Sequence, residues 1–372
     1  MKFSVNNKDI LRALSVVSRA IATKTTNPIL ECVHIKTENN TLNLKATNTE
    51  ISVISEINCL TETPGEIVVN IKTFNEILRT YPDQLIHFNI DENKIININC
   101  GTDETKSNIN ILGKNAQEYP TITKYDTDNS FVIENDIFKN LIKDTIFACA
   151  GADGLSPILT GVQIKYEDNI LKFVALDGFK LAIKCELIVS DTPAFECIVP
   201  SKTLSELHKI LAIYEDDIHM NIIDNKLVIN IADNQFISNL LDGKFVNYNS
   251  IIPKTINTMA RVDRLELLNS LERASLITDS AKNSLIKMNL SDNSIQIISR
   301  SDIGKVVEDV AVDKNGDDIK IAFNSKYLIE ILKIFSEDRI MIEYKDSKNP
   351  AMIKLIDTDK YLYLIMPVKY EE

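Results

Sequence analysis

The chain has 372 residues, of which 44% are hydrophobic and 25% are charged. This composition is typical of soluble globular proteins and excludes a disordered or collagen-like chain, and at about 150 residues per domain the length predicts two or three domains. The formal net charge of −12 argues against a protein that simply coats nucleic acid.

Location and redox chemistry follow from the apolar runs and the cysteines. The longest apolar run is the eight residues 361–368, well short of the ~20 that a membrane-spanning helix needs. The N-terminus carries no hydrophobic leader with a cleavage site, so we expect a cytoplasmic protein. The six cysteines lie at least twelve residues apart, which leaves no Cys-x-x-Cys pair for zinc or dithiol chemistry.

Motifs of catalytic chemistry do not occur in the sequence. The four histidines show no His-Glu-x-x-His or His-x-His spacing, and there is neither a Gly-x-x-x-x-Gly-Lys phosphate loop nor a Gly-x-Ser-x-Gly elbow. The Asp-Gly pairs at 153–154, 177–178 and 242–243 are typical of turns. We therefore expect a protein that is not an enzyme, with no catalytic residue, no metal site and no cofactor.

The first third of the chain predicts a definite series of elements. An extended stretch precedes a helix over 9–19, and a strand of alternating pattern follows at 42–47. A second helix then carries Lys72 and, four residues later, Glu76. A hairpin that reverses at the Asx-rich turn 91–94 comes next, followed by a closing strand.

This series recurs twice along the chain. The lysines of the second helices lie 130 and 124 residues apart, each with a glutamate four residues later: Lys72 and Glu76, Lys202 and Glu206, Lys326 and Glu330. The alternating strands keep nearly the same spacing, at 42–47, 171–176 and 295–300, and further first helices are predicted at 136–147 and 263–276. Agreement of separate blocks at one period indicates an internal triplication.

The repeats divide the chain into three similar domains. A proline lies at or next to each boundary, Pro120 at the first and Pro253 at the second. This places the domains at 1–121 (N-terminal), 122–252 (central) and 253–372 (C-terminal). Strands that are interrupted by two isolated helices per domain, without regular βαβ alternation, predict an α+β fold with antiparallel sheets.

Basic residues mark one face of the predicted helices. In each second helix two of them lie seven residues apart, which returns them to nearly the same side of an α-helix. Together with those of the first helices they form the candidate DNA-facing set: Lys8, Arg12, Lys72, Arg79, Lys139, Lys143, Lys202, Lys209, Arg264, Lys326 and Lys333. The alternative is an ordinary solvated face, in which Lys72 and Glu76 form a weak i,i+4 pair. Three copies of one basic face favour phosphate contacts without sequence readout.

Five stretches carry a resemblance to a known family: Met1–Val5, Pro28–Leu30, Ala175–Ala182, Leu241–Phe245 and Tyr363–Lys369. They resemble the bacterial DNA polymerase III beta subunits, the sliding clamps, and the resemblance covers essentially the whole chain. It implies the DNA clamp fold, in which a head-to-tail homodimer closes into a ring of six similar domains. Antiparallel sheets would lie outside, and two helices per domain would line a hole around duplex DNA.

A size estimate agrees with two chains per ring. Twelve lining helices at ~9.5 Å between axes form a circle roughly 36 Å across, which leaves roughly 26 Å after helix thickness is subtracted. A hole of that width admits duplex DNA with room for water and ions.

The resemblance also implies a function and a partner site. A clamp encircles DNA without sequence specificity and tethers the replicative DNA polymerase, the clamp loader and repair factors through short linear motifs, which makes replication processive. The motifs bind in a hydrophobic cleft, whose matching positions here are Leu159, Leu176, Gly178, Phe179, Lys180, Leu181, Val246, Ile251, Leu364, Met366, Pro367 and Val368. Without the resemblance, the apolar stretch 361–368 predicts a buried last strand. The stretch can be a buried strand and also line the cleft, because alternate side chains of a strand face opposite sides.

Some positions depart from the family pattern. Val246 stands where Pro is usual and Phe179 where His or Tyr is common, which predicts a changed peptide preference. Lys24 matches a loop position near the DNA that is usually Arg, and Ser156 stands where many relatives have a basic residue.

The resemblance also implies a ring interface. Two residues of the first domain should meet two residues of the third domain of the other subunit: Ile109 and Ile111 against Leu276 and Ile277.

A protein-only scaffold that uses the same cleft without encircling DNA is the alternative function. The two differ in one behaviour: a clamp stays on circular DNA and slides off the same DNA once it is linear.

Overall fold

The computed structural model describes residues 1–22, 25–101, 106–154, 156–278 and 284–370. Within these ranges antiparallel strands dominate and six α-helices interrupt them. The predicted α+β class with antiparallel sheets is therefore confirmed. Among the described residues, no helix is both long enough and apolar enough to cross a membrane.

The first third contains eleven regular elements. In chain order they are β1 Lys2–Asn6, α1 Asn7–Val17, β2 Cys32–Glu38, β3 Thr41–Thr47, β4 Ile51–Asn58, β5 Leu60–Thr63, β6 Gly65–Asn70, α2 Ile71–Arg79, β7 Leu85–Ile90, β8 Ile95–Gly101 and β9 Lys106–Leu112.

The middle and last thirds repeat this order. The middle third contains β10 Phe131–Ile133, α3 Asn135–Lys143, β11 Gly161–Glu167, β12 Ile170–Leu176, β13 Lys180–Leu187, β14 Phe195–Pro200, α4 Ser201–Leu211, β15 Ile218–Ile223, β16 Lys226–Ile231 and β17 Asn234–Asn239. The last third contains β18 Thr258–Asp263, α5 Arg264–Ser275, β19 Leu285–Ser291, β20 Ser294–Ser301, β21 Gly304–Gly316, β22 Ile319–Asn324, α6 Ser325–Leu332, β23 Arg339–Tyr344, β24 Ala351–Leu355 and β25 Tyr361–Ile365. The predicted threefold series is confirmed.

Side-chain caps set where several helices begin. The Asn6 side chain accepts a hydrogen bond from the backbone N–H of Lys8, so α1 starts two residues before the predicted Asp9. Asn70 and Asn324 cap α2 and α6 in the same way. The first helix of the second repeat is shorter than predicted: α3 ends at Lys143 rather than at Phe147, and a separate 3-10 turn follows it.

In each repeat, the side chain that begins the first helix donates a hydrogen bond to a backbone carbonyl at the C-terminal end of the second helix. The side-chain amide of Asn7 donates to the carbonyl oxygen of Leu78 at 3.0 Å, and that of Asn135 donates to the carbonyl oxygen of Leu211 at 3.1 Å. Arg264 takes this place in the third repeat. These bonds satisfy carbonyls that a helix end leaves unpaired.

The strands form three sheets. Their strand orders are β5-β1-β7-β8-β9, then β10-β15-β16-β17-β4-β3-β2-β6, and then β14-β11-β12-β13-β25-β24-β23-β18-β21-β20-β19-β22. Repeats share sheets, because β17 pairs with β4 and β13 pairs with β25, both antiparallel.

Two compact units result. One comprises residues 1–139 and 202–240 and holds the first two sheets; the other comprises residues 140–201 and 241–372 and holds the third.

Candidate peptide cleft and basic helix faces

An apolar cleft of about 310 Å³ lies in the unit formed by 140–201 and 241–372. Its lining comprises Leu176, Gly178, Phe179, Lys180, Leu181, Val246, Asn247, Tyr248, Ile251, Leu364 and Met366. The structure thus brings together nine of the twelve residues that the sequence suggested, from three segments far apart in the chain.

The turn between β12 and β13 shapes one wall of this cleft. The Asp177 carboxylate accepts hydrogen bonds from the backbone N–H groups of Phe179 and Lys180, at 2.8 and 2.9 Å. Gly178 has a φ of +92°, which a residue with a Cβ rarely adopts. The N–H of Met366 donates to the Phe179 carbonyl at 2.8 Å, so the turn also holds the chain just after β25.

Burial separates the floor of the cleft from its rim. Leu181 and Leu364 face each other across the β13–β25 pairing and are almost fully buried. Phe179 on the rim is 60% exposed, and Val246 and Met366 are also exposed. Exposed apolar side chains clustered around a buried apolar floor are typical of a protein interaction site.

Lys180 is the one charged residue in this lining. Its Nζ lies 2.6 Å from the Glu330 carboxylate and 4.8 Å from the ring centroid of Tyr327, and its side chain is only 7% exposed. Phe147 approaches from another side, with its ring centroid 5.3 Å from the same nitrogen. Because the charge is balanced by Glu330, the cleft presents a mainly apolar surface.

Three predicted cleft residues lie outside the lining. Leu159 packs against the buried cluster that includes Leu176 and Leu364. Val368 donates its backbone N–H to the Ala322 carbonyl at 2.8 Å, and Pro367 is half-buried.

Two lining residues, Asn247 and Tyr248, were missed by the sequence reasoning. Tyr248 packs against the same buried cluster as Leu159, and burial raises the pKa of its hydroxyl. Its position two residues after Val246, in the segment that leads to Ile251, was the available signal.

A buried ion pair supports the strands that form the cleft. The Lys184 ammonium on β13 contacts the Asp144 carboxylate, and both side chains are less than a tenth exposed. Although burial acts to lower it, the hydrogen bond and the attraction of Asp144 raise the pKa of Lys184. The Tyr363 hydroxyl on β25 donates to the Asp144 carbonyl at 3.1 Å, so the pair ties the end of α3 to the two strands.

The predicted DNA-facing residues fall into distinct groups. Six of them are exposed and form no salt bridge within the described ranges: Lys8, Lys72, Arg79, Lys143, Lys202 and Lys326. Three form salt bridges to nearby carboxylates: Lys139 to Asp136 at 2.5 Å, Lys209 to Glu206 at 2.7 Å and Lys333 to Glu272 at 2.8 Å. Lys24 lies outside the described residues.

Arg12 and Arg264 are engaged with protein groups. The Arg12 guanidinium lies 4.4 Å from the centroid of the Tyr214 ring. Arg264 donates to the carbonyl oxygens of Glu337 at 2.8 Å and Leu332 at 3.4 Å, so it closes the end of α6. Both are less available to phosphate than the exposed lysines.

None of the three Lys-x-x-x-Glu motifs forms an ion pair between its own two residues in the described structure. Glu206 contacts Lys209 and lies 3.8 Å from Arg19, while Glu330 contacts Lys180 of the cleft. The helix geometry permits an i,i+4 pair, but Glu206 pairs at i+3 within its own helix and with Arg19, and Glu330 pairs with a residue of another element.

The predicted interface residues lie on two separate elements. Ile109 and Ile111 are half-buried on β9, which is an edge strand of the first sheet. Leu276 directly follows α5 and is 79% exposed, and Ile277 is half-buried.

No group of three or more His, Cys, Asp or Glu side chains in the described ranges is arranged to hold a metal ion. The six cysteines are free thiols, and burial raises the pKa of Cys149 and of Cys197 to about 12. Thiols with a raised pKa are poor nucleophiles at neutral pH.

The whole chain is similar to proteins of one family. Three models of the DNA polymerase III beta subunit match it in order: the N-terminal domain at residues 1–123, the central domain at 132–247 and the C-terminal domain at 249–369. The beta sliding clamp of Streptococcus pneumoniae strain R6 is 30% identical over 382 residues, which cover 99% of each chain. That of Bacillus subtilis is 29% identical over 381 residues, covering 99% of this chain and all of the relative.

A solved structure supports the same relationship. The crystal structure of the DNA polymerase sliding clamp from Bacillus subtilis superposes with a TM-score of 0.94 at 28% identity, over 100% of both chains. Because the three domain models follow one another along the chain and full-length relatives reach 30% identity, this chain belongs to the DNA polymerase III beta subunit family.

Proposed function

We propose that two copies of this chain close head to tail into a ring around duplex DNA and hold the replicative DNA polymerase there. The chain is a sliding clamp that supports processive replication and has no catalytic activity of its own. The observation that carries the proposed binding of the polymerase is the apolar cleft. Its nine predicted lining residues meet in one unit and surround a buried apolar floor.

The ring explains how weak contacts give processivity. A closed ring need not grip DNA, so screened contacts from exposed lysines such as Lys72, Lys202 and Lys326 suffice to centre it while sliding stays fast. A polymerase tied to the ring stays at high local concentration near the DNA and rebinds after each local release.

The cleft is the proposed docking site for short linear motifs of the polymerase, the clamp loader and repair factors. Its floor offers buried leucines and its rim offers exposed Phe179, Val246 and Met366. The flexible thioether of Met366 adapts to side chains of varied shape, which suits a site that accepts several partners.

Two unpaired strand edges support the proposed dimer. On β9 the side away from β8 is free of strand partners among the described residues, with Ile109 and Ile111 along it. On β21 the residues 304–311 pair with β20, while β18 pairs only with 312–316. An edge of this kind is a template for pairing with a strand of another copy, and exposed Leu276 adds an apolar contact.

We place the action of this protein in the cytoplasm and divide it into domains at 1–121, 122–252 and 253–372. The three domains then correspond to the three repeats of strands and helices.

Retention on DNA of different topology tests the function. The chain is loaded onto nicked circular DNA with a clamp loader, and bound and free protein are separated by gel filtration before and after the circle is cut once. We expect the chain to elute with the circle and to leave it after linearisation. Retention on linear DNA, or no retention on the circle, would contradict the proposal, and the latter would favour a protein-only scaffold.

A further inference from the structure

The carboxylate of Glu206 on α4 lies between two cations. One of its oxygens lies 2.7 Å from the Lys209 Nζ, and the other lies 3.8 Å from a terminal nitrogen of Arg19, which follows α1. The Glu206 side chain is 23% exposed, whereas those of Lys209 and Arg19 are 46% and 35% exposed. One partly buried carboxylate thus neutralises part of the charge of two more accessible cations.

These groups line an open cavity of about 440 Å³, together with the exposed Lys202. The Nε of Arg19 is buried and has no hydrogen-bond partner among the described residues. An anionic oxygen that enters the cavity would meet an exposed lysine and two cations already engaged by Glu206, beside the Glu50 carboxylate that also lines the cavity. The oxygens of a DNA phosphate are acceptors of this kind.

The equivalent position in the first repeat behaves differently. Glu76 follows Lys72 by four residues on α2, as Glu206 follows Lys202 on α4. Glu76 is exposed and forms no salt bridge in the described structure. The pairing of Glu206 therefore does not follow from the shared Lys-x-x-x-Glu motif; it depends on Lys209 and Arg19.

We propose that Glu206 competes with DNA phosphates for Lys209 and Arg19 and so weakens the hold of the chain on duplex DNA. A passing phosphate shares these two cations with the carboxylate, because each cation has further N–H donors, so each contact is brief and weak. The inference rests on the proposed function, because it requires DNA to pass this face of α1 and α4. Glu206 acts through its two cations and is a positioning residue.

The salt dependence of DNA binding tests this role. Binding of a short fluorescent duplex is measured by anisotropy between about 50 and 200 mM salt. For Glu206→Gln we expect tighter binding and a slope of log K against log salt that is steeper by about 0.9 for each cation released. Glu76→Gln, which removes the same charge from the equivalent helix position, should give less than half of that change. Equal effects of the two variants, or an unchanged slope for Glu206→Gln, would overturn the inference.

Two lysine variants keep the test decisive even if Glu206→Gln folds poorly. Lys202→Gln should lower the slope by about 0.9, whereas Lys209→Gln should change it by less than half as much, because Glu206 already engages Lys209. An equal decrease of the slope in Lys202→Gln and Lys209→Gln would contradict a competition between Glu206 and phosphate for Lys209.

Retention of the unaltered chain on circular DNA separates the two proposals. If the unaltered chain is retained on the circle but Glu206→Gln shows the same salt slope as the unaltered chain, only the proposed role of Glu206 is refuted. A chain that is never retained refutes the proposed function as well.

Discussion

Single residues of the cleft differ in what they contribute. Leu364 is almost fully buried, so its truncation would remove core packing as well as cleft surface and would cost about 2–5 kcal/mol of folding stability. Met366 lies two residues later and is 38% exposed, so it can be shortened with little effect on the core. Met366 is therefore the residue that separates binding from folding.

For Met366→Ala we expect weaker binding of a labelled polymerase peptide by about 1–2 kcal/mol, or roughly five- to thirtyfold in Kd, because an apolar rim contact is lost. The thermal midpoint should stay close to that of the unaltered chain. Met259 on β18 is also 38% exposed and lies outside the cleft lining, so Met259→Ala is the matched control. Equal losses of peptide affinity in both variants would contradict the assignment of Met366 to the cleft.

His34 predicts a pH dependence of stability. Its ring stacks on Tyr119 with 5.8 Å between centroids, and its Nε2 lies 3.1 Å from the Glu66 carboxylate. Burial lowers the pKa of His34 below its usual value of 6.5, although Glu66 acts to raise it. The unfolded chain therefore takes up this proton first as the pH falls, so the folded state loses stability below the usual pKa.

We expect His34→Gln to flatten the decline of the thermal midpoint between about pH 7.5 and 5.5. Glu66→Gln removes the group that favours the charged ring and should make the decline steeper. Parallel pH profiles for His34→Gln and the unaltered chain would show that His34 does not carry this effect.

Among the elements, α6 serves two surfaces. Lys326 on it and Lys333 directly after it are exposed, while Tyr327 and Glu330 contact Phe179 and Lys180 of the cleft. The helix that carries candidate DNA contacts thus also supports the wall of the cleft.

Glu330→Gln tests this support. Without the carboxylate, the ammonium of Lys180 loses its salt-bridge partner and keeps only a neutral amide acceptor and the aromatic rings, so it moves toward water through the cleft, which should weaken peptide binding about tenfold. Peptide titration of Glu330→Gln measures the loss, and Glu76→Gln at the equivalent place on α2 is the control. An unchanged Kd would mean that Lys180 keeps its position without Glu330.

At the scale of the whole molecule, charge is distributed unevenly. The chain carries a net charge of −12, yet six exposed basic residues of the second and first helices remain unpaired in the described ranges. An acidic exterior would repel DNA from other faces and leave the basic helices as the favourable contact. Net charge alone therefore misrepresents how this protein meets nucleic acid.

The proposed dimer predicts a mass of about 84 kDa, twice the 41.9 kDa of one chain. Leu276→Asp should shift light-scattering mass toward the single chain, because a charge would be buried in an apolar contact between copies. Val189 is 83% exposed on the same unit, so Val189→Asp controls for adding an exposed charge. If Leu276→Asp keeps the mass of two chains, Leu276 does not lie in the interface between copies.

Local sequence patterns were enough to predict the elements and their repetition. Alternation over 42–47 predicts β3, and the Asx-rich turn at 91–94 predicts the hairpin of β7 and β8. These signals are local, because side-chain period and turn chemistry act over a few residues. Helix ends were less accurate, since the Asn6 cap moved the start of α1.

Which of the predicted residues lie together became clear only from the way distant segments pack. The cleft joins segments near 176–181, 246–251 and 364–366, and the partners of Arg12 and Lys180 come from other elements. The resemblance named most of the cleft, but it did not include Tyr248 or the pairing of Lys180 with Glu330. Burial and ion pairing depend on which distant segments pack together, and a periodic pattern along the chain carries no record of that packing.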